Sequence, residues 1–89
     1  MNIENVRSIE NILDRLNYIY RNSNKNWNIL NKSMENIINL MKDIEIVYKD
    51  DLLSKSNEIL DCIKNQGSRK YMKWKVSCII NQIEQTKYI

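Results

Sequence analysis

Apolar residues recur at steps of three and four along nearly the whole chain, and little interrupts them. The sequence has no proline and a single glycine, the two residues that most often break helices. Steps of three and four place side chains on one face of an α-helix, whereas a half-buried strand needs strict alternation. The pattern therefore predicts an all-α fold, a bundle of four or five helices.

Two long helices are predicted in the first half of the chain. The polar run 22–26 separates them, because Ser and Asn compete with helical hydrogen bonds and cap helix ends well. The first apolar stripe is Val6, Ile9, Leu13, Leu16 and Tyr20, with Ile12 and Ile19 beside it. The second helix is predicted from about Trp27 to Lys42, with the stripe Trp27, Leu30, Met34, Ile37 and Met41.

The segment 44–48 interrupts this pattern with β-branched alternation. A lone strand would have no partner in such a chain. We therefore expect an extended connector that places Ile44 and Ile46 in the core.

Three further helices are predicted after the connector, each bounded by good capping residues. The first is short and carries Leu52 and Leu53, the second carries Ile59 and Ile63, and the last runs to about Lys87. The predicted caps, in chain order, are Asp50 or Asp51, Ser56 or Asn57, Gly67 and Ser68.

The last helix carries an apolar stripe on one side and an aromatic residue on the other. Trp74 lies opposite the stripe, so it is either packed against a neighbouring element or exposed for a partner. Eight residues of the chain are predicted to be buried, namely Trp27, Met34, Ile37, Leu53, Ile63, Val76, Ile79 and Ile83.

Length and composition indicate one globular domain spanning residues 1–89, expected to be monomeric. Hydrophobic residues make up 43% and charged residues 28% of the chain, which is typical of a folded protein. No apolar run approaches the roughly 18 residues of a membrane span, and no signal-peptide pattern is present. Cys62 and Cys78 are expected to be reduced, partly buried thiols of an intracellular protein.

Catalysis is not expected. The chain has no histidine, and its one adjacent carboxylate pair, Asp50 and Asp51, is better explained as a helix cap. A glycine-rich phosphate loop is absent, and two cysteines without a close spacing make a poor metal site. No cofactor and no metal are therefore predicted.

Charge is distributed unevenly along the second half of the chain. Residues 43–61 hold six acids and two bases, whereas residues 62–75 hold five bases and no acid. The basic block with Tyr71 and Trp74 could bind an acidic protein partner, or phosphates and bases of a nucleic acid. Direct nucleic-acid binding is the weaker interpretation, since the pI of 8.9 is modest and an acidic block lies next to the basic one.

Several segments together resemble the N-terminal domain of the transcription elongation factor TFIIS and its relatives, such as integrase-binding domains. The resemblance lies in the segments Ile37–Met41, Ile44–Ile46, Leu52–Leu53, Ile59–Lys64 and Val76–Ile80. It implies a compact right-handed bundle that docks short disordered peptides of transcription or chromatin proteins, with an aromatic anchor flanked by acids. It also implies a nuclear location. Ile83 stands where the family has a closing Trp.

By position, the resemblance implies a peptide groove between the loop after the first helix and the start of the last helix. The loop would contribute Asn24, Lys25 and Asn26, and it lacks the Asp that integrase-binding relatives use. The predicted partner-binding residues are Lys25, Asn26, Arg69, Lys70, Tyr71, Lys73 and Trp74. A protein that binds and inhibits one folded target is a further alternative that the sequence leaves open.

Overall fold

Four helices form the protein. The computed structural model describes residues 2–87, and within that range it contains α-helices, turns and short irregular segments but no strand. The helices are α1 (Ile3–Arg21), α2 (Trp27–Asp43), α3 (Lys49–Lys64) and α4 (Arg69–Thr86). The predicted all-α bundle is confirmed.

The helices form a ring around one core. Helix α1 packs against α2 and α4, and α3 packs against the same two helices. Connections of only four or five residues join consecutive helices, so each runs antiparallel to the one before it. One end of the bundle therefore carries the loops 22–26 and 65–68, and the opposite end carries the connector 44–48.

The core is built from the apolar stripes that the sequence shows. Six of the eight residues predicted to be buried are buried in the structure, namely Met34, Ile37, Ile63, Val76, Ile79 and Ile83. Trp27 and Leu53 are instead partly buried and pack against the edge of the core. Trp27 begins α2 at an end of the bundle, where no further turn of helix can cover a large ring.

The two short helices predicted after the connector are one continuous helix, α3. Asp50 and Asp51 lie in its first turn, and its N-cap is Tyr48, whose side chain makes no capping hydrogen bond. Ser56 is buried in the helix interior, where its hydroxyl donates to the carbonyl of Leu52 at 2.7 Å. A serine that satisfies its hydroxyl within the helix has no reason to end it, so the predicted caps at Asp50 and Ser56 are wrong.

The connector between α2 and α3 is extended, and it is tied down by side chains. Ile44 is buried and Ile46 is partly buried against the core, as predicted. The amide of Asn5 donates to the Glu45 carbonyl at 2.8 Å and accepts from the Glu45 N–H at 2.7 Å. Lys49 donates to the carbonyls of Lys42 and Ile44, which would otherwise lack partners at the end of α2.

Helix α3 ends in a Schellman motif, but glycine is not its left-handed residue. The Gly67 N–H donates to the Cys62 carbonyl at 2.9 Å, and the Gln66 N–H donates to the Ile63 carbonyl at 3.0 Å. Gly67 thus takes part in the C-terminal cap, as predicted, but the residue with positive φ, 48°, is Gln66. Ser68 caps α4 as predicted, accepting from the Tyr71 N–H at 3.0 Å.

The left-handed conformation of Gln66 gives a first prediction. Gln66→Gly should raise the free energy of unfolding by about 0.5–1 kcal/mol, because glycine adopts positive φ without a Cβ clash. Gln66→Ala is the matched control and should change stability little, since alanine keeps the Cβ. Urea unfolding measures both, and equal stability of the two variants would contradict the assignment of strain to this residue.

Core burial gives a second prediction. Ile79 is 0% exposed, so Ile79→Asp should lower the free energy of unfolding by about 3 kcal/mol or more, because it buries an unpaired charge. Ile29→Asp is the matched control: Ile29 is 46% exposed and lies in the first turn of α2, where an acid is favoured. Circular dichroism during urea unfolding should separate the two variants; similar losses would argue against this packing.

Candidate functional site

The outer side of α4 carries two neighbouring exposed aromatic rings. Trp74 is 57% exposed and Tyr71 is 42% exposed, with their ring centroids 6.1 Å apart at an interplanar angle of 41°. Trp74 lies opposite the buried residues Met72, Val76 and Ile79, so it faces solvent. The structure therefore excludes the alternative in which Trp74 packs against a neighbouring element.

Two lysines flank these rings, and one of them extends the surface onto α1. Lys70 and Lys73 are exposed, and the Lys73 ammonium lies 4.7 Å from the ring centroid of Tyr20. Tyr20 was predicted on the core stripe of α1, but it is 36% exposed because it lies in the last turn, at the end of the bundle. We define the basic–aromatic surface as Lys70, Tyr71, Lys73 and Trp74 of α4 with Tyr20 of α1.

Lys75 joins the basic block to the acidic one. Its ammonium forms an ion pair with the Glu58 carboxylate of α3 at 2.7 Å, and this hydrogen bond raises the pKa of Lys75 above its usual value. The same ammonium lies 5.8 Å from the ring centroid of Trp74. Lys75 therefore spans the α3–α4 contact, and its charge is partly neutralised for any partner.

Arg69 joins the start of α4 to the loop 22–26. Its Nη1 donates to the carbonyls of Ser23 at 2.7 Å and Lys25 at 2.8 Å. Its guanidinium carbon lies 3.8 Å from the ring centroid of Trp27, which places a cation over the aromatic face. The two predicted halves of the groove are thus brought together, but Arg69 itself bridges them.

The other predicted residues on this loop have separate positions. Asn26 is the N-cap of α2, and its side chain accepts from the Asn28 N–H at 2.8 Å. Lys25 is exposed. Of the predicted site residues, Lys70, Tyr71, Lys73 and Trp74 share one surface. Arg69 Nη1 and Asn26 Oδ1 are instead engaged in hydrogen bonds to the backbone.

No sequence pattern indicated the groove that adjoins this surface. Between α1 and α4 lies a shallow groove of about 300 Å³, lined by Asn17, Tyr20, Ser77, Ile80 and Asn81. Arg21 lies one turn beyond Asn17 and donates to its carbonyl at 3.4 Å, so a third cation stands at this end. Helical spacing pairs Asn17 with Arg21 and Ser77 with Asn81, but only the packing of α1 on α4 forms the groove.

The charges at the start of α4 oppose the helix dipole. Its first turn contains Arg69 and Lys70 and no acid, although the positive helix N-terminus disfavours cations by about 0.3–1 kcal/mol each. Arg69 is explained by its carbonyl partners. Lys70 has no hydrogen-bond or ion-pair partner in the described chain, so folding gives no reason for a cation there. Departures of this kind from local preference are typical of functional surfaces.

Other kinds of site find little support in the part of the chain described. Among residues 2–87, no group of three or more acidic, cysteine or histidine side chains is arranged to hold a metal ion. Within the same range, every helix is too short or too polar to cross a bilayer. Both Cys62 and Cys78 are free thiols and partly buried. Comparison of the chain with protein-family models, curated proteins and solved structures finds no match.

The contacts of Arg69 give a third prediction. Arg69→Met should lower the free energy of unfolding by about 2–3 kcal/mol, because two carbonyl hydrogen bonds and the contact with Trp27 are lost. Arg69→Lys should recover less than half of that loss, since an ammonium cannot stack flat on the ring while bonding both carbonyls. Urea unfolding measures the loss. The neighbouring Lys70→Ala is the control and should lose no stability, because it removes a cation that the helix dipole disfavours.

Proposed function

We propose that this protein is a docking domain without catalytic activity. Its basic–aromatic surface binds a short acidic segment of another protein, and that segment carries an aromatic or large apolar anchor. The observation that carries the proposal is the exposure of Trp74 and Tyr71 beside Lys70 and Lys73. These two cations have no ion-pair partner among residues 2–87.

Aromatic residues are among the side chains that contribute most to protein interfaces. Tryptophan and tyrosine bury much area with few torsions to fix, so they are enriched among residues that dominate binding energy. Exposed lysines contribute mainly by attracting an acidic partner, because salt screens charges at an interface rim. A short segment held by one anchor and a few charges is expected to bind at micromolar strength.

A nucleic acid is a less suitable ligand for this surface. The affinity of a protein for a nucleic acid comes largely from phosphate contacts, and each contact needs an available cation. Of the five bases in residues 62–75, Arg69 is bonded to carbonyls and Lys75 is paired with Glu58. The Glu58 carboxylate of α3 lies directly beside Lys75, and it would disfavour a phosphate chain crossing α4 at this point.

The resemblance to the TFIIS N-terminal domain extends the proposal to transcription and chromatin proteins as partners, and to the nucleus as the compartment. In this protein the segments that resemble two separate elements, Leu52–Leu53 and Ile59–Lys64, lie in one continuous helix. The proposal of an acidic partner therefore rests on the surface of α4, and the resemblance supplies only the kind of protein in which such a segment occurs.

Charge reversal gives a fourth prediction. The probe is a synthetic peptide with one Phe, several Glu residues and no Trp or Tyr, so protein fluorescence reports binding without interference. Lys70→Glu with Lys73→Glu should weaken binding about five- to thirtyfold at low salt, since two rim charges contribute about 1–2 kcal/mol in total. The salt dependence of the remaining affinity should become flatter. Titrations at low and at physiological salt measure both effects.

The control pair is Arg7→Glu with Lys32→Glu, which makes the same change in net charge on exposed positions of α1 and α2. It should leave peptide affinity nearly unchanged, and all variants should keep their helix content. Unchanged affinity of the Lys70/Lys73 variant would refute the proposed surface. Tight binding of a single-stranded oligonucleotide with a steep salt slope, in place of the peptide, would favour the nucleic-acid interpretation.

A further inference from the structure

We infer that the partner segment binds as an amphipathic helix along the groove between α1 and α4. Its apolar anchor lies over Ile80, and its acidic end lies against Lys70, Lys73 and Arg21. This inference rests on the proposed function and adds to it the place of the anchor, the conformation of the segment and its orientation. It moves the binding site away from the loop 22–26.

The groove has the size and lining of a site for one side chain. Its volume of about 300 Å³ is at the lower end of the range for ligand pockets, too small for a large cofactor but sufficient for one aromatic residue. Ile80 supplies an apolar floor that packs on the core, and Tyr20 supplies an aromatic wall. Tyr20 also contacts Lys73, so the groove and the basic–aromatic surface are continuous.

The polar side chains of the groove favour a partner that satisfies its own backbone. The Asn17 amide donates to the Leu13 carbonyl at 3.0 Å, and the Ser77 hydroxyl donates to the Trp74 carbonyl at 2.6 Å. These two groups are thus bonded within their own helices, and residues 2–87 contain no strand edge with which an extended peptide could pair. A helix forms its backbone hydrogen bonds internally and can bury one apolar face between two helices.

Charge along the groove sets the orientation of the partner. Lys70, Lys73 and Arg21 stand at the end nearest the loop 22–26. At the far end, Lys87 contacts the carboxylates of Glu10 at 3.0 Å and Glu84 at 3.1 Å, which leaves acids in excess there. The acidic end of the partner would be attracted to the three cations near the loop 22–26. It would be repelled by the carboxylates of Glu10 and Glu84.

The geometry also fixes how far the acids stand from the anchor. Ile80 follows Lys73 by seven positions on α4, which corresponds to about 10 Å along the helix. A helical partner parallel to the groove therefore needs its carboxylates about seven residues from the anchor. An extended partner would span the same distance in about three residues.

The experiment uses the full chain and two peptides of identical composition. Each has two Glu residues and one Phe, separated by seven positions in one peptide and by three in the other. We expect the seven-residue spacing to bind about tenfold tighter, and bound peptide to show helical NMR shifts. Equal affinity, or tighter binding of the three-residue spacing, would overturn the helical conformation.

A groove variant distinguishes this inference from the proposed function. Asn81 is exposed and lines the groove. Asn81→Glu should therefore weaken binding of the peptide with the seven-residue spacing at least fivefold. Asn39→Glu makes the same change at an exposed position of α2 and should have no effect. If the Lys70/Lys73 reversal weakens binding while Asn81→Glu does not, the docking function stands and the groove assignment is wrong.

The position of the anchor can be read directly by NMR. A spin label beside the Phe residue should broaden the amide signals of Asn17 and Asn81. Broadening at Trp27 and Lys64 instead would place the segment across the end of the bundle and overturn the inference. If neither the Lys70/Lys73 reversal nor Asn81→Glu changes affinity, both the groove and the proposed surface are refuted.

Discussion

Burial of one apolar stripe from each helix is the constraint on which the rest of this protein depends. A chain of 89 residues buries a smaller share of its surface than a large domain, so its stability depends strongly on how well a single core is packed. Here the ring of four helices meets that need by giving every helix two neighbours. Because each helix buries only one apolar stripe, its opposite face can carry charged and aromatic residues without destabilising the core.

The ends of the bundle are held by side chains that bond to backbone rather than by further apolar packing. Arg69 donates to two carbonyls of the loop 22–26, and Lys49 does the same for the end of α2. Asn5 pairs with both backbone groups of Glu45. These contacts satisfy backbone groups that have no partner within a helix. Some cations of this protein, such as Arg69 and Lys49, therefore stabilise the fold. The remaining cations are conspicuous because they do not.

The α4 surface stands out because only some of its cations have partners within residues 2–87. Arg69 and Lys75 are occupied by carbonyls and by a carboxylate, whereas Lys70 opposes the helix dipole and has no partner within residues 2–87. Trp74 likewise contributes little to the core while exposing a large apolar ring. A cation and an aromatic side chain that folding does not require lie side by side here, and the proposed docking function rests on this observation.

The sequence by itself determined α1, α2, α4 and most of the core, but it divided α3 into two helices. Steps of three and four identify the stripes that end at Met41 and Ile83, and Ser68 marks the start of α4, because these signals depend only on residues within a few turns. Local signals wrongly predicted a helix cap at Ser56. The hydroxyl of this residue is buried and bonds to the Leu52 carbonyl, which depends on which face of α3 meets the core. Only the tertiary structure decided that Trp74 is exposed, that Arg69 bridges to a loop more than forty residues away, and that Asn17 and Asn81 line one groove. Those outcomes depend on the pairing of distant helices, which helical periodicity within one segment does not encode.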